Sequence, residues 1–257
     1  NKTSEDSYEN ALKYLRNALG DGIDEEMINS FLNFSPKMVD FLEEKTSVKL
    51  RTYSLHPDYH SNLPGATLFG RVLEPIPFRG SVLKNKFDDL RYPIPEFMLF
   101  NKIMVDRTDI NYLMTIFKKW HSLWYSLKLF AQYGYDRILY KRGTRLVMGN
   151  ALAGRLYYSL LDNNVPVFLS TCANSLKLVN NRVTSAILNF NGETKEIKVA
   201  CGTILATGGF SNQPELRQSL MPKSLLLNSP VVDSATGDGL SLAQKIGGYL
   251  SLTCESN

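Results

Sequence analysis

The chain has 257 residues, 44% of them hydrophobic, which is ample to bury one large core or two small ones and makes it globular. Its 29 Lys and Arg against 25 Asp and Glu leave a formal charge of +4 spread without a basic block, so charge marks no nucleic-acid partner. Cys172, Cys201 and Cys254 form no C-x-x-C pair and no Cys/His cluster at metal spacing, and no apolar run has the length of a membrane span, so the expectation is a cytoplasmic protein without a metal.

Tyr8, Ala11, Leu12, Leu15 and Leu19 share one helical face, and Met27, Ile28, Phe31 and Leu32 mark a second helix. A third is expected to begin at Ser35 as its cap, with Pro36 in the first turn and Met38, Val39, Phe41 and Leu42 as its stripe. From 51 to 95, Pro and Gly arrive every few residues and predict a long ordered loop. Such loops are uncommon in a compact domain without a function, so this is a place to look for a site. Residues 109–132 hold neither Gly nor Pro, and Leu113, Phe117, Trp120, Trp124 and Leu127 recur at helical spacing. One or two helices are expected there, with the aromatic stripe facing the core rather than a cofactor.

A further helix over 144–162 presents Gly149, Ala151, Ala153 and Gly154 as a small-residue surface suited to close packing on a sheet. Residues 165–169 read as a short β run, and Asn180-Asn181 and Asn191-Gly192 are hairpin turn signals between alternating segments. A three-stranded meander is predicted, feeding a strand of buried type over 203–207 that stops at Gly208-Gly209. Helices resume near Pro214 and again after Asp238, where Gly247-Gly248 supplies the stop.

Two motifs carry the chemistry. Ala206-Thr207-Gly208-Gly209 brings backbone N–H groups to a surface nearly free of side chains, which suits a dinucleotide's phosphates or ribityl chain; it is also ordinary turn chemistry. Thr236-Gly237-Asp238-Gly239 opens a helix, so Asp238 reads equally as an N-cap or a first-turn carboxylate. Order tips the balance: a strand, a meander, Ala-Thr-Gly-Gly-Phe, then Thr-Gly-Asp-Gly and a helix ending in Gly-Gly.

That series resembles the flavoprotein superfamily that contains fumarate reductase, succinate dehydrogenase and the 3-ketosteroid dehydrogenases. Asp58-Tyr-His-Ser-Asn-Leu-Pro-Gly65, Gly70-Arg-Val-Leu-Glu-Pro75 and Arg142-Gly-Thr-Arg-Leu-Val-Met-Gly-Asn-Ala-Leu152 look like the stretches that set the ketosteroid dehydrogenase-like members apart, and the resemblance runs from residue 6 to residue 250. It implies an α/β fold: a partial Rossmann-type FAD-binding domain with a three-stranded β-meander and flavin-site strand at 165–209 and a loop and helical insertion at 51–140. It implies FAD as cofactor, with contacts at Ala173, Ala206, Thr207, Gly208, Gly209, Gly237, Asp238 and Gly239. It implies a steroid or other apolar small molecule as substrate, dehydrogenated in its A ring while a tyrosine takes a proton alpha to the carbonyl. Tyr59 matches the family's auxiliary catalytic tyrosine, with His60 where relatives often carry a second aromatic; the alternative is a loop tyrosine packed on an apolar stripe or bonded to backbone.

A Rossmann G-x-G-x-x-G is not present, since Gly20-Asp-Gly22 and Gly237-Asp-Gly239 both lack the third glycine. The expectation is therefore that residues 1–257 are the central part of an FAD-binding domain without its first βαβ unit and C-terminal cap domain, and that this piece alone neither holds FAD tightly nor turns over. No His follows His121, which is expected to be structural or exposed, while His56 and His60 lie in the loop beside Tyr59. No G-x-S-x-G elbow occurs, which discards a hydrolase. Two other readings stand beside the dehydrogenase: a fumarate- or urocanate-reductase-like flavoprotein, and a non-catalytic piece that binds an apolar ligand or nothing.

Overall fold

The computed structural model describes residues 6–20, 23–53, 55–221 and 231–250, so Asp21, Gly22 and Cys254 lie outside the described residues. The chain divides into two units, Asn1–Val167 and Phe168–Asn257.

The first unit opens with α1, Tyr8–Leu19, whose cap Ser7 accepts the Asn10 N–H on its hydroxyl at 3.2 Å. Next comes α2, Glu25–Lys45, capped by Asp24. The helix expected to start at Ser35 is not separate, because Pro36 sits inside α2. Ser35 donates its hydroxyl to the Phe31 carbonyl one turn back at 2.6 Å, so it serves a continuing helix instead of capping a new one. An internal proline removes one helical donor, a cost of about 3 kcal/mol that a 21-residue helix absorbs.

The loop predicted over 51–95 is closed by short ladders. Strand β1, Leu50–Thr52, pairs antiparallel with β2, Leu73–Pro75, which brings both ends of 53–72 together. Downstream, β3, Phe78–Arg79, leads into a 3-10 stretch, Gly80–Asp89, and β4, Met98–Leu99, pairs with β5, Ile103–Met104. Helices α3, Arg107–Met114, and α4, Trp120–Leu139, follow. Strand β6, Arg145–Leu146, pairs back onto β3, and α5 therefore begins late, at Met148–Asp162. Phe78, Leu83, Phe87, Met104, Leu146, Val147, Ala151 and Tyr157 form the core around it. A Cβ on Gly154 would come within 2.9 Å of Phe78 and 3.0 Å of Leu146, so α5 packs closely on strands at Gly154 and buried Ala151, whereas Gly149 and Ala153 of the expected small-residue surface are exposed.

The aromatic stripe expected in the core faces outward: Phe117 is 96% exposed and Trp120 80%. The buried face of α4 carries Ser122, Ser126, Leu129 and Asp136 instead. Ser122 hydrogen-bonds the Thr115 hydroxyl at 2.8 Å, and the Asp136 carboxylate accepts from both the N–H (2.7 Å) and the hydroxyl (2.8 Å) of Thr144. Internal partners at Ser122 and Asp136 thus hold the polar side of the helix inward, although the buried Ser126 hydroxyl has no partner among the described residues, and periodicity alone carries no sign for which face wins.

In the second unit, β7, Thr171–Val179, β8, Arg182–Phe190, and β9, Glu193–Lys198, form an antiparallel sheet in that order. The chain reverses at Asn180-Asn181 and Asn191-Gly192, all four at positive φ, the left-handed conformation that Asn and Gly tolerate. Residues 165–169 are not a strand, since pairing begins only at Thr171; Pro166 lacks the N–H a ladder needs. The run 203–207 is not a buried strand either: Ile204 is 91% exposed, and no described strand pairs with it. A strand buried on both faces needs neighbours on both edges, and the described residues supply none. Helices α6, Pro214–Leu220, and α7, Asp238–Lys245, complete the unit. Gly247 at φ 94° lets the Gly248 N–H return to the Ala243 carbonyl at 2.8 Å, which is the expected stop. The fold is mixed helix and sheet; the sheets among the described residues are all antiparallel, so the parallel Rossmann sheet implied by the resemblance is not seen in them.

Candidate functional site

Within the second unit the two glycine motifs meet. The Gly239 N–H donates to the Thr207 hydroxyl at 3.0 Å and the Gly237 N–H to the Gly209 carbonyl at 3.0 Å. Gly237 is the N-cap of α7 at φ 75°, and a Cβ there would lie 2.7 Å from Leu216. At Gly239 a Cβ would lie 2.4 Å from the Thr207 hydroxyl, so that close approach requires glycine. Gly208 and Gly209 differ: nothing lies within 4 Å of where their Cβ atoms would be, and both are exposed.

Asp238 is not the cap but the first helical residue, exposed, and its carboxylate accepts the Thr236 hydroxyl at 2.9 Å. Behind the corner the Asn212 amide donates to the carbonyls of Val231 (2.9 Å) and Val232 (2.6 Å), which ties the two segments together. Ala206 is exposed beside Thr207. Ala173 lies on β7 opposite Leu188, exposed and next to a register shift, and α7 packs against that strand. The residues present fit a dinucleotide: a backbone surface stripped of side chains at Gly208-Gly209, beside a helix start with no side-chain cap.

In the first unit Tyr59 projects from the loop between β1 and β2. It is 95% exposed, touches His56 edge-on at 6.5 Å, and its hydroxyl has no hydrogen-bond partner among the described residues. Neither the packed nor the backbone-bonded reading of Tyr59 is met. His56 bridges to Tyr53 at 5.4 Å, the His60 N–H donates to the Tyr14 hydroxyl, and His121 is exposed against Tyr112.

What holds this loop was not read from the sequence. Arg71 donates to Asp6 through two nitrogens at 2.8 Å, to Asp58 at 2.7 Å and to the Gly65 carbonyl at 2.8 Å. The hydrogen bonds from Arg71 hold the Asp6 carboxyl below its usual range, and the same contact raises the guanidinium. Gly65 presses on α1, where a Cβ would sit 2.5 Å from the Asn10 carbonyl oxygen. The available signal was that Asp58 and Gly65 bound one family stretch while Arg71 lies in the next.

A second unread node fixes α3. Asp106 and Asp109 form its capping box, and Asp109, fully buried, accepts hydrogen bonds from one Arg145 nitrogen at 3.0 Å and the Tyr125 hydroxyl at 2.5 Å, with the other Arg145 nitrogen ion-paired to it at 2.9 Å. Burial pushes the Asp109 carboxyl up against the pull of Tyr125 and Arg145, and burial with the Asp109 hydrogen bond pushes the Tyr125 phenol up to about 12. Arg142 likewise serves the scaffold, donating to the carbonyls of Phe87 and Leu90 at 2.9 Å while stacking on the Phe87 ring.

The family model described as FAD binding domain matches residues 1–254. The 3-oxosteroid 1-dehydrogenase of Mycolicibacterium smegmatis is 28% identical over 254 residues, covering 96% of this chain and 44% of that protein. The 4-oxocyclohex-2-ene-1-carboxylate 5-dehydrogenase of Sinomonas cyclohexanicum is 27% identical over 217 residues, or 84% of this chain and 37% of that one. Among solved structures, 3-ketosteroid delta1-dehydrogenase from Sterolibacterium denitrificans in complex with 1,4-androstadiene-3,17-dione matches with a TM-score of 0.82 and 28% identity, covering 96% of this chain and 45% of that one. The chain thus spans less than half the length of these relatives. It belongs to the FAD binding domain family, with FAD as its cofactor, and resembles the 3-ketosteroid dehydrogenases within it.

Proposed function

We propose that the intact protein is an FAD-dependent dehydrogenase that desaturates the A ring of a 3-ketosteroid, with the flavin held at Ala206 to Gly209 and Gly237 to Gly239. The observation that carries this is the meeting of Thr207 and Gly239 at 3.0 Å beside the open Gly208-Gly209 backbone. It lies in a chain whose relatives are, by their names, dehydrogenases of oxo-substituted rings.

The flavin, when bound, supplies the acceptor for a hydride. Gly208 and Gly209 let it approach the backbone, the Thr207 hydroxyl fixes the Gly239 amide, and Ala173 borders the same unit from β7. Substrate loses a proton from the carbon alpha to its ketone and a hydride from the neighbouring carbon, leaving a new double bond. An unperturbed phenol has a pKa of about 10, so a tyrosine base working near neutrality needs a partner for its proton. Tyr59, with a free hydroxyl on a clamped loop, is assigned that role.

The test is anaerobic mixing of the full-length flavoprotein with a 3-ketosteroid, with 4-oxocyclohexanecarboxylate, and, after reduction, with fumarate. Flavin bleaching by the steroid with formation of a ring-desaturated product is expected. Bleaching by the cyclohexane acid alone would move the substrate class, and reoxidation by fumarate alone would support the reductase reading.

A further inference from the structure

The α3–α4 segment is built inside out. Along α4 the buried positions are mostly polar, whereas Trp120, Trp124, Leu127 and Ile138 share the opposite face and are 80%, 66%, 51% and 79% exposed. Just before the helix, Phe117 is 96% exposed. Exposed apolar surface of this extent needs a cover.

Charge says which. From 110 to 135 there is no Asp or Glu, while Lys118, Lys119 and Lys128 are exposed and make no ion pair among the described residues. Two of these lysines stand directly between Phe117 and Trp120. Helix α2 provides the contrast: Met27, Phe31, Phe34, Met38 and Phe41 are exposed at helical spacing, but the helix carries Glu25, Glu26, Asp40, Glu43 and Glu44 against only Lys37 and Lys45. An anionic surface would repel α2 and attract α4. Tryptophan suits a boundary between headgroups and acyl chains, where its ring is buried and its N–H stays wet. No helix among the described residues is long and apolar enough to cross a bilayer.

We propose that the outer face of α4, with Phe117 and its lysines, attaches the protein to the surface of an anionic lipid bilayer without crossing it. The attachment is independent of the dehydrogenase reading, because its readout is lipid binding and not turnover.

Trp120 and Trp124 are the two tryptophans of this sequence, so the fluorescence that the full-length protein loses in a Trp120→Phe/Trp124→Phe variant reports on the patch. The full-length flavoprotein is sedimented with phosphatidylcholine vesicles containing or lacking phosphatidylglycerol, and quenching by brominated phosphatidylcholine is compared with a Trp120→Phe/Trp124→Phe variant. Expected are binding that requires phosphatidylglycerol and falls with salt, and quenching lost in that variant. A Lys118→Glu/Lys119→Glu variant, with every aromatic kept, should bind at least about tenfold more weakly. Trp120→Ser/Trp124→Ser should remove binding, and Phe31→Ser/Phe34→Ser in α2 should leave it unchanged. The proposal is overturned if no vesicles sediment the protein, if phosphatidylcholine alone serves as well and the lysine variant is unaffected, or if the two tryptophans are shielded from acrylamide without lipid. The last result would mean that the remaining polypeptide or a second copy covers the face.

Discussion

At the start of α3, Asp109 is fully buried and held by two Arg145 nitrogens and the Tyr125 hydroxyl. The corner at Thr207 and Gly239 carries instead one hydroxyl, two backbone hydrogen bonds and glycines whose missing side chains leave room. The first region spends charge on rigidity; the second, proposed above as the flavin surface, keeps bulk away and carries a single exposed carboxylate, Asp238, at the helix start. In this chain, then, clusters of ionisable groups build scaffold, and the proposed site is distinguished by side chains that its glycines lack.

The largest effect that would sharpen this contrast is at Arg145. Removing one partner of a buried ion pair strands the other, so Arg145→Met is expected to lower unfolding free energy by about 3–5 kcal/mol, read from urea denaturation. Asp109→Leu added to it should recover part of the loss, because the fully buried Asp109 charge is then removed, while Asp106 keeps Arg51 as a partner. A single variant as stable as wild type would show that Asp109 does not depend on Arg145.

At the corner, Gly239→Ala puts a methyl 2.4 Å from the Thr207 hydroxyl and is expected to cost about 1–3 kcal/mol, partly restored by Thr207→Ala. Gly209→Ala meets nothing within 4 Å and should leave stability within about 0.5 kcal/mol while lowering the flavin content of the full-length protein. If Gly209→Ala keeps its flavin, open space there is not a binding surface.

How much of this was legible depended on range. The Asn180-Asn181 and Asn191-Gly192 turns and the stop at Gly247-Gly248 are written in neighbouring residues, and they stand where the sequence put them, as does the Ala151 and Gly154 half of the small face of α5. The two glycine motifs were readable as motifs, and the structure adds that they touch. Pro36 misled because a long helix can carry a proline, and the stripe from Phe117 to Leu127 misled because spacing gives a period without an inward direction. Arg71 with Asp6, and Arg145 with Asp109, join residues 65 and 36 positions apart, a pairing no local pattern encodes.

Tyr59 tests whether an exposed group in the clamped loop does chemistry. Tyr59→Phe removes only a hydroxyl that has no partner among the described residues, so stability and flavin content should not move. Loss of a positioned acid-base partner typically costs about 10² to 10⁴ in rate, and a fall of at least about tenfold in kcat toward a 3-ketosteroid is expected in the full-length enzyme. Turnover at the wild-type rate would remove Tyr59 from the site.

The smallest expected effect concerns pH and the clamp that carries Tyr59. Asp6 has its carboxyl lowered chiefly by the hydrogen bonds from Arg71, so it is ionised in the folded chain at acidities where the unfolded chain is already protonated. A depressed carboxyl contributes stability above its unfolded value of about 3.9 and loses it as pH falls through the folded value. Asp109, pushed up by burial, has the opposite sign and loses its contribution as pH rises through its folded value. Asp6 and Arg71 are each 17% exposed at the side chain, so solvent screens the pair only in part, and about 1 kcal/mol is the expected scale. Asp6→Asn keeps the shape and removes the charge. Its stability deficit against wild type should therefore be full at neutral pH and shrink steadily below about pH 4. A deficit that stays constant down to the lowest pH at which both proteins fold would mean that Asp6 holds the loop by packing, and that Arg71 is anchored by Asp58 and the Gly65 carbonyl alone.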